Sequence, residues 1–475
     1  MGVEITKKDV TWSYVAKLFQ IGSGLVTLPL ILRLLTTEEV GMNYLMLTVS
    51  SIVGLMDFGF SPQFGRNFTY VNSGARRLCR EGVEEERGGS IDWHLLSVLI
   101  STARFVYRRL SVLALIVMLT FGTGYIWYLT EGFTNVNNSL YIWILYSFST
   151  YFNIYFSYYS SLLTGNGMIR ESSQAAILSK SAYLVLCTVF LLLGWGLFAV
   201  VAANFIAPFV QRYVSYRAYF KPELKARLAE QTVTREDIRE TFSVIWFNAK
   251  KLGINFIGAY AVNKMGMFII GFFLPLETIG SYGLLTQLTT IVTGIANTMF
   301  VTYLPKVSNC RVTGDRPMLK RTISFSMLVG QIIMVAGALG IIFVAPYLLE
   351  LIKSQTMLPS RLVCVLYLVV VALELNHSEF ASVISTENKI PYVVPSLVSG
   401  GVIVLLTFIA LKFTTLGLLG VVLVQGIVQA AYNNWRWPLW VFRELDMSIS
   451  EFYRTGFDSI LKTVSGLWKS MHRNA

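Results

Sequence analysis

Lys250, Lys251 and Lys264 lie in a mostly apolar stretch, Thr241 to Leu274, that is long enough to cross a bilayer. A lysine inside a membrane span is costly and by default marks a pathway or a binding site. Lys250 and Lys264 are 14 residues apart. At helical pitch that is about four turns, so they share nearly one face and stand roughly 20 Å apart along the axis. Gly253, Ile257 and Tyr260 fill the face between them. The chemistry such a row supports is recognition of an anion, phosphate above all, by point charges. The three are not equivalent. Lys250 and Lys251 sit within two turns of one end, where their stems can snorkel to lipid headgroups. Lys264 is past the midpoint, where snorkelling serves it poorly. Lys17, a turn or two inside the first apolar run, is a fourth intramembrane cation.

Two acidic features accompany them. In Leu373-Glu374-Leu375-Asn376-His377-Ser378-Glu379, Glu374 and His377 are three apart near the middle of an apolar run. That spacing puts them on one helix face. Intramembrane acids and histidines mark proton relays and ion sites, so Glu374 and His377 are candidates for H+ or Na+ coupling; a buried structural network is the competing reading. Asp57 belongs to LMDFGFSPQFGRN, where glycines and Pro62 predict a kinked or broken helix of the kind tolerated where it lines a cavity. Asp57 could pair with Arg66 or with a lysine of another span and is, with Glu374 and His377, a candidate for ion or proton coupling, or it could form a turn at the membrane edge. Arg33 and Arg361 fall at predicted span ends and suit interfacial anchoring, and the aromatic run Tyr151 to Tyr159 suits packing better than sugar stacking.

Other chemistries are poorly supplied. Cys79, Cys187, Cys310 and Cys364 are scattered, so neither a metal site nor a disulfide framework is expected. No Walker A sequence, GxSxG or HExxH occurs. We therefore expect no enzyme, no cofactor and no metal. The net charge of +12 is better explained by cytoplasmic loops of a membrane protein than by nucleic-acid binding.

The elements that must position these residues are membrane helices. Of 475 residues 54% are hydrophobic and only 14% charged, against about 25% in a soluble domain. Mean hydropathy is +0.58. Short alternating strands of a β-barrel are absent, and the N-terminus has no apolar core of a cleavable signal peptide. The pattern predicts an all-α polytopic protein of about 12 transmembrane helices, near 12–34, 42–61, 110–129, 140–162, 174–194, 197–216, 244–273, 279–303, 324–345, 361–385, 391–411 and 416–441. With the N-terminus inside, thirty of the 39 Lys and Arg fall in inner segments and only Arg33, Lys353, Arg361 and Lys412 at outer ones. That bias places both termini in the cytoplasm.

The expected domains are an N-terminal six-helix lobe (1–220), a cytoplasmic linker (221–240), a C-terminal six-helix lobe (241–445) and a cytoplasmic amphipathic tail (446–475). An internal repeat supports the division. Leu35, Glu38, Val40 and Gly41 recur 239 residues later as Leu274, Glu277, Ile279 and Gly280, and Leu45, Ile52 and Val53 recur as Leu284, Ile291 and Val292. Six spans per half make it a parallel repeat, for which substrate commonly binds between the halves near the midplane.

The stretches PLILRLLTTEEVG, YLMLTVSSIVGLMDFGFSPQFGRN, FIIGFFLPLETIGSYGLLTQLTTIV and NNWRWPLW resemble polysaccharide transporters, the bacterial O-antigen flippases and their relatives, in the multidrug/oligosaccharidyl-lipid/polysaccharide exporter superfamily. The resemblance implies two six-helix lobes in a V and flipping of undecaprenyl-diphosphate-linked oligosaccharide from the cytoplasmic to the periplasmic leaflet of the bacterial inner membrane. It implies a cationic central cavity, to which Lys17, Arg66 and Lys264 are the nearest matches, with Lys250 and Lys251 at its rim. It also implies partners in polymerisation and export downstream. Relatives carry an acid where this chain has Gly266, which directs attention to Glu374 and His377 instead. Two alternatives stand beside it. A drug exporter of the same superfamily should have an acidic, aromatic cavity, which three lysines in one span oppose. A membrane polysaccharide polymerase should have a large outer loop, and the outer loops here are short.

Overall fold

The computed structural model describes residues 7–72, 74–80, 90–313, 315–386 and 391–473, and every regular element within them is helical. Among the described residues, eight helices are long and apolar enough to cross a membrane. The chain is thus an all-α polytopic membrane protein. Each of the other four predicted spans is occupied by helix of a different kind. Span 12–34 lies within Lys7–Leu34. The remaining three are each divided by one residue: Ser157 parts Ser139–Phe156 from Tyr158–Gly165, Lys264 parts Arg235–Asn263 from Met265–Ile270, and Tyr432 parts Leu418–Ala431 from Asn433–Leu445. Backbone groups freed at such breaks need partners inside the protein, since lipid offers none.

The helices gather into two compact units. The first holds Met1–Ile257 with short returns at Pro275–Glu277 and Lys353–Gln355; the second holds Gly258–Leu274, Thr278–Ile352 and Thr356–Ala475.

In the first unit, Thr36 and Glu39 form a reciprocal capping box at the start of Thr37–Gly54, an arrangement worth about 1 kcal/mol. Glu39 also accepts from the Leu197 backbone N–H at 3.0 Å, so one carboxylate serves the starts of two helices. The core is aromatic: Phe60, Phe64, Phe68, Tyr107, Tyr158 and Tyr159 are all buried and packed together. In lipid, helices associate through close van der Waals packing and interhelical hydrogen bonds, not through hydrophobic exclusion. Broad rings and small residues serve that requirement.

The second span breaks where its composition predicts. After a 3-10 turn, Leu55–Asp57, both Phe58 (φ 47) and Gly59 (φ 79) are left-handed before Phe60–Asn72 begins. A bulky residue in this region is strained and persists only where packing over-determines it. Phe58 stacks on Trp246 at 5.5 Å between centroids. Its ring also lies so close to Gly253 that an added Cβ there would meet it at 2.5 Å. Pro62 sits in the first turn of the new helix, where its missing N–H costs nothing.

The second unit has two packed regions. One surrounds Ile270, Tyr282, Leu285, Met334, Tyr367 and Val422. The other surrounds Phe300, Ile323, Phe380, Trp437, Val441 and Phe452. In the latter region Arg311 forms a two-point ion pair with Glu444, one arm at 3.3 Å, and also donates to the Val383 carbonyl at 3.4 Å. The tail helix Ile449–Arg473 docks here as well. Lys320 donates to Glu451 at 2.9 Å and to the Asp446 carbonyl at 2.8 Å, and Arg321 donates to Ser459 at 3.2 Å.

The repeat extends beyond the residues that first revealed it. The third span of each half opens on an aspartate cap, Asp92 accepting from Leu95 and Asp315 from Met318. Each then contains a π-helical segment, Met118–Gly122 and Gly340–Val344. The sixth span of each half starts at a glycine of almost identical backbone, Gly196 (φ 56, ψ −143) and Gly417 (φ 54, ψ −129). Each is followed by Leu, any residue, a small residue and two valines: Leu197 to Val201 and Leu418 to Val422. The left-handed φ explains why both positions are glycine. The offset falls from 239 to about 222 because the first half carries extra residues between its second and third spans.

Candidate functional site

Asp57 ends the 3-10 turn that precedes Phe60–Asn72. Its Oδ1 accepts from the Tyr107 hydroxyl at 2.6 Å and its Oδ2 from the Ser61 backbone N–H at 3.1 Å. Both oxygens are therefore engaged, one holding a buried tyrosine and one capping the helix. Among the described residues Asp57 makes no ion pair, with Arg66 or with any lysine. Its geometry is that of a turn-forming acid, the second of the two roles its sequence context allows.

Arg66 stands two turns further on, exposed. Its guanidinium donates to Gln63 Oε1 at 2.6 Å, and Gln63 itself is buried. It lies on a groove of about 380 Å³ between the helices Phe60–Asn72 and Tyr158–Gly165, where Ser61, Thr69, Ser160, Ser161 and Thr164 supply hydroxyls. Gly65 and Gly165 allow the close approach: a Cβ on Gly165 would collide with the Gly65 carbonyl and would stand 2.6 Å from Phe68 Cβ.

The lysines occupy different settings. Lys250 is exposed with its ammonium 5.4 Å from the Phe247 ring centre, and Arg80 reaches the same ring at 5.9 Å. Arg80 is fixed there by donating to Ser243 at 2.9 Å and by accepting at its carbonyl from Asn248 at 2.9 Å. Sequence reasoning does not single out Arg80, because it lies in a charged loop, where composition does not distinguish a docked cation from a solvated one. The side chains of Lys17 and Lys251 lie outside the described residues.

Lys264 is itself the break in the seventh span. Its N–H still bonds to the Tyr260 carbonyl at 2.8 Å and its carbonyl accepts from Met267 at 3.2 Å, but its φ of −129° leaves the helical region. Its side chain is exposed, and no hydrogen bond or ion pair is made by its ammonium among the described residues.

The second unit holds a buried polar chain. His377, 8% exposed, has Nδ1 at 2.9 Å from Asn434 Oδ1 and Nε2 at 3.7 Å from Glu374 Oε1. An amide oxygen only accepts, so Nδ1 carries the hydrogen. A neutral ring then turns an unprotonated Nε2 toward the carboxyl. Two lone pairs facing each other repel, so the pair is held together when one proton resides on either partner. Glu374 Oε2, Asn434 Nδ2 and Glu379 Oε1 are buried without a hydrogen-bond partner among the described residues. Glu379 is 2% exposed. A second bond, Gln331 to Asn376 at 2.9 Å, ties the same helix to Arg316–Leu339.

The break at Tyr432 presents this chain with its asparagines. Asn434 reaches His377, while Asn433 donates to Ser399 at 3.1 Å and to Gln429 at 2.7 Å and accepts from Trp437 at 3.2 Å. The sequence carries Glu374 and His377 visibly. Asn434, Glu379 and Gln331 carry a weaker sign, polar residues within apolar runs.

Comparison with known proteins fits this architecture. Residues 100–310 match the model of a family described as polysaccharide biosynthesis protein. No curated protein matches in sequence. Among solved structures, an inward-facing multidrug-resistance MATE transporter of the MOP superfamily aligns with TM-score 0.62 at 14% identity, covering 93% of this chain and 99% of its own. The lipid II flippase MurJ in an inward closed conformation also aligns with TM-score 0.62, at 12% identity, covering 95% of this chain and 90% of its own. A MATE transporter of Vibrio cholerae, in a mutant form, aligns with TM-score 0.51 at 12% identity, covering 92% and 97%.

Proposed function

With the fold of the MOP exporters and a family match to polysaccharide biosynthesis proteins, the chain resembles the polysaccharide flippases of that superfamily, and from this premise we propose its task. It translocates a polyprenyl-diphosphate-linked oligosaccharide, a surface-polysaccharide repeat unit such as O-antigen, from the cytoplasmic to the periplasmic leaflet of a bacterial inner membrane. It works by alternating access, with both termini cytoplasmic, and passes its cargo to polymerising and exporting proteins.

The observation that carries this reading is Lys264. An ammonium with no polar partner among the described residues, placed at an interruption of a membrane span, is a costly feature that structural packing does not repay. A diphosphate supplies the missing anion. Arg66, exposed and oriented by Gln63, is a second cation suited to phosphate; Lys17, Lys250 and Lys251 extend the basic set. The prenyl chain remains in lipid, so no covalent chemistry is required. The fold alone is equally that of a drug exporter; the family match and the basic residues favour the glycan.

The Glu374–His377 pair is the proposed coupling element, carrying one proton between two buried groups. For Asp57, the third coupling candidate, the hydrogen bonds from Tyr107 and Ser61 favour a role in holding the turn.

The test is Lys264→Ala with surface glycan measured in intact cells at matched protein level. Loss of most surface glycan is expected. Normal export would remove the argument from this cation.

A further inference from the structure

The groove at Arg66 has a donor and acceptor pattern that selects its occupant. Four of its five hydroxyls have already committed their protons. Thr69 donates to the Gly65 carbonyl at 3.1 Å and Thr164 to the Ser160 carbonyl at 2.8 Å. Ser161 donates to the Ser61 carbonyl at 3.0 Å, which makes Ser61 the donor in the 2.9 Å bond that the two hydroxyls share. A hydroxyl has one proton and two lone pairs. What these side chains still offer to the groove is lone pairs, so a ligand lying along them must bring hydrogen-bond donors.

Arg66 offers the opposite. One of its terminal nitrogens is held by Gln63, and the rest of the guanidinium fork has no partner among the described residues. No carboxylate lines the groove to neutralise it. The Ser160 hydroxyl is exposed and makes no hydrogen bond of its own among the described residues. The groove thus pairs a fixed anion-seeking group with a row of acceptors. A planar guanidinium matches phosphate geometry in two-point contact.

We infer that this groove binds a phosphate ester of a polyol, with the phosphate on Arg66 and the ligand hydroxyls donating to Ser61, Thr69, Ser161 and Thr164. A bare anion would leave the acceptors unused, and an uncharged polyol would leave the arginine uncompensated. Two molecules share this chemistry: a sugar phosphate, as in the glycan headgroup of the function proposed above on which that identification rests, and a phospholipid whose headgroup carries free glycerol hydroxyls. The volume of about 380 Å³ accommodates one such unit, not an extended chain.

The experiment uses the full-length protein, purified in detergent or held in nanodiscs. Glucose 1-phosphate and inorganic sulfate are the soluble probes, and phosphatidylglycerol against phosphatidic acid are the lipid ones. Thr69→Val/Thr164→Val keeps side-chain volume and deletes two acceptors. Two neutral hydrogen bonds at their usual strength correspond to a loss of roughly tenfold or more in affinity. That loss is expected for glucose 1-phosphate or for phosphatidylglycerol, with sulfate and phosphatidic acid unchanged. Thr69→Ser/Thr164→Ser, which keeps both oxygens, is expected to bind as the parent does. Arg66→Gln is expected to abolish binding of every probe.

A response confined to glucose 1-phosphate identifies the sugar source, and one confined to phosphatidylglycerol identifies the lipid source; either supports the groove. Unchanged affinity of the valine variant for both hydroxylated probes, or an equal loss for sulfate, overturns it. The flippase reading fails separately: normal export by Lys264→Ala removes that reading whatever this groove binds, and hydroxylated-probe affinity unchanged by Thr69→Val/Thr164→Val removes the groove whatever the export result.

Discussion

A charged residue in an apolar run is the most legible sign a sequence offers, and here it led to Lys264, Glu374 and His377. The partners of those residues were much less legible. Nothing in the spacing says that Asn434 faces His377 or that Gln63 holds Arg66, because both contacts depend on how helices pack. Phe58 illustrates the same limit. The glycines around it foretell a break, but only the packed structure shows a phenylalanine in the left-handed region with its ring pressed on Gly253. Gly253→Ala should therefore force this ring out of place. A destabilisation of about 1–3 kcal/mol is expected, as for overpacking elsewhere, read as a lower thermal midpoint in detergent; an unchanged midpoint would show that the ring yields freely. For Glu374, replacement by Gln removes the site at which the shared proton can reside as an acid. Export should fall and lose its dependence on external pH. A variant that exports at the parental rate whatever the pH would exclude the pair from coupling.

Among the described helices, the twelve predicted spans correspond to eight candidates long and apolar enough to cross and to four stretches of other kinds, three of them divided at one residue. Hydropathy averages over a window, so a single non-helical residue such as Tyr432 leaves no trace in it. The tail shows what periodicity can and cannot supply. Its apolar stripe predicts a helix at the inner surface. The structure adds that Phe452, 1% exposed, enters the core of the second unit, and that Gly456 lies against Ser324 and Leu328. A Cβ at Gly456 would stand 2.8 Å from Leu328 Cδ2 and 2.9 Å from the Ser324 carbonyl oxygen. Gly456→Leu should lift the helix away, seen as faster amide exchange across 449–463, whereas parental protection would mean the contact is dispensable. The Lys320 hydrogen bond holds the Glu451 carboxyl below the usual range. A depressed folded-state value means that its contribution is present above the ordinary carboxylate range, near pH 4.3, and is lost as pH falls through the folded value. Docking should loosen on acidification for that reason. Because the pair is partly exposed, the effect is small.

Across the whole chain, composition and charge placed the protein in the membrane, and the positive-inside bias proposes its orientation. A fluorescent protein fused after Ala475 should fluoresce in cells and alkaline phosphatase fused there should be inactive; active phosphatase would invert the topology. The internal repeat was visible as a run of matched residues around two spans. Its extent was not, since the extra residues after the second span shift the register and hide the later correspondence from any search at one fixed offset.

The matched π-helical segments, Met118–Gly122 and Gly340–Val344, bear on ancestry. Such a segment arises when one residue is inserted into an α-helix, and inside a long span it costs hydrogen-bond geometry. Two independent insertions at the same place in both third spans would require the same accident twice. Insertion into a single six-span precursor, copied when its gene doubled, requires it once. A half-length precursor that already carried the irregularity accounts for both with one event, and six-span relatives are expected to contain the extra residue about two turns before the end of their third helix.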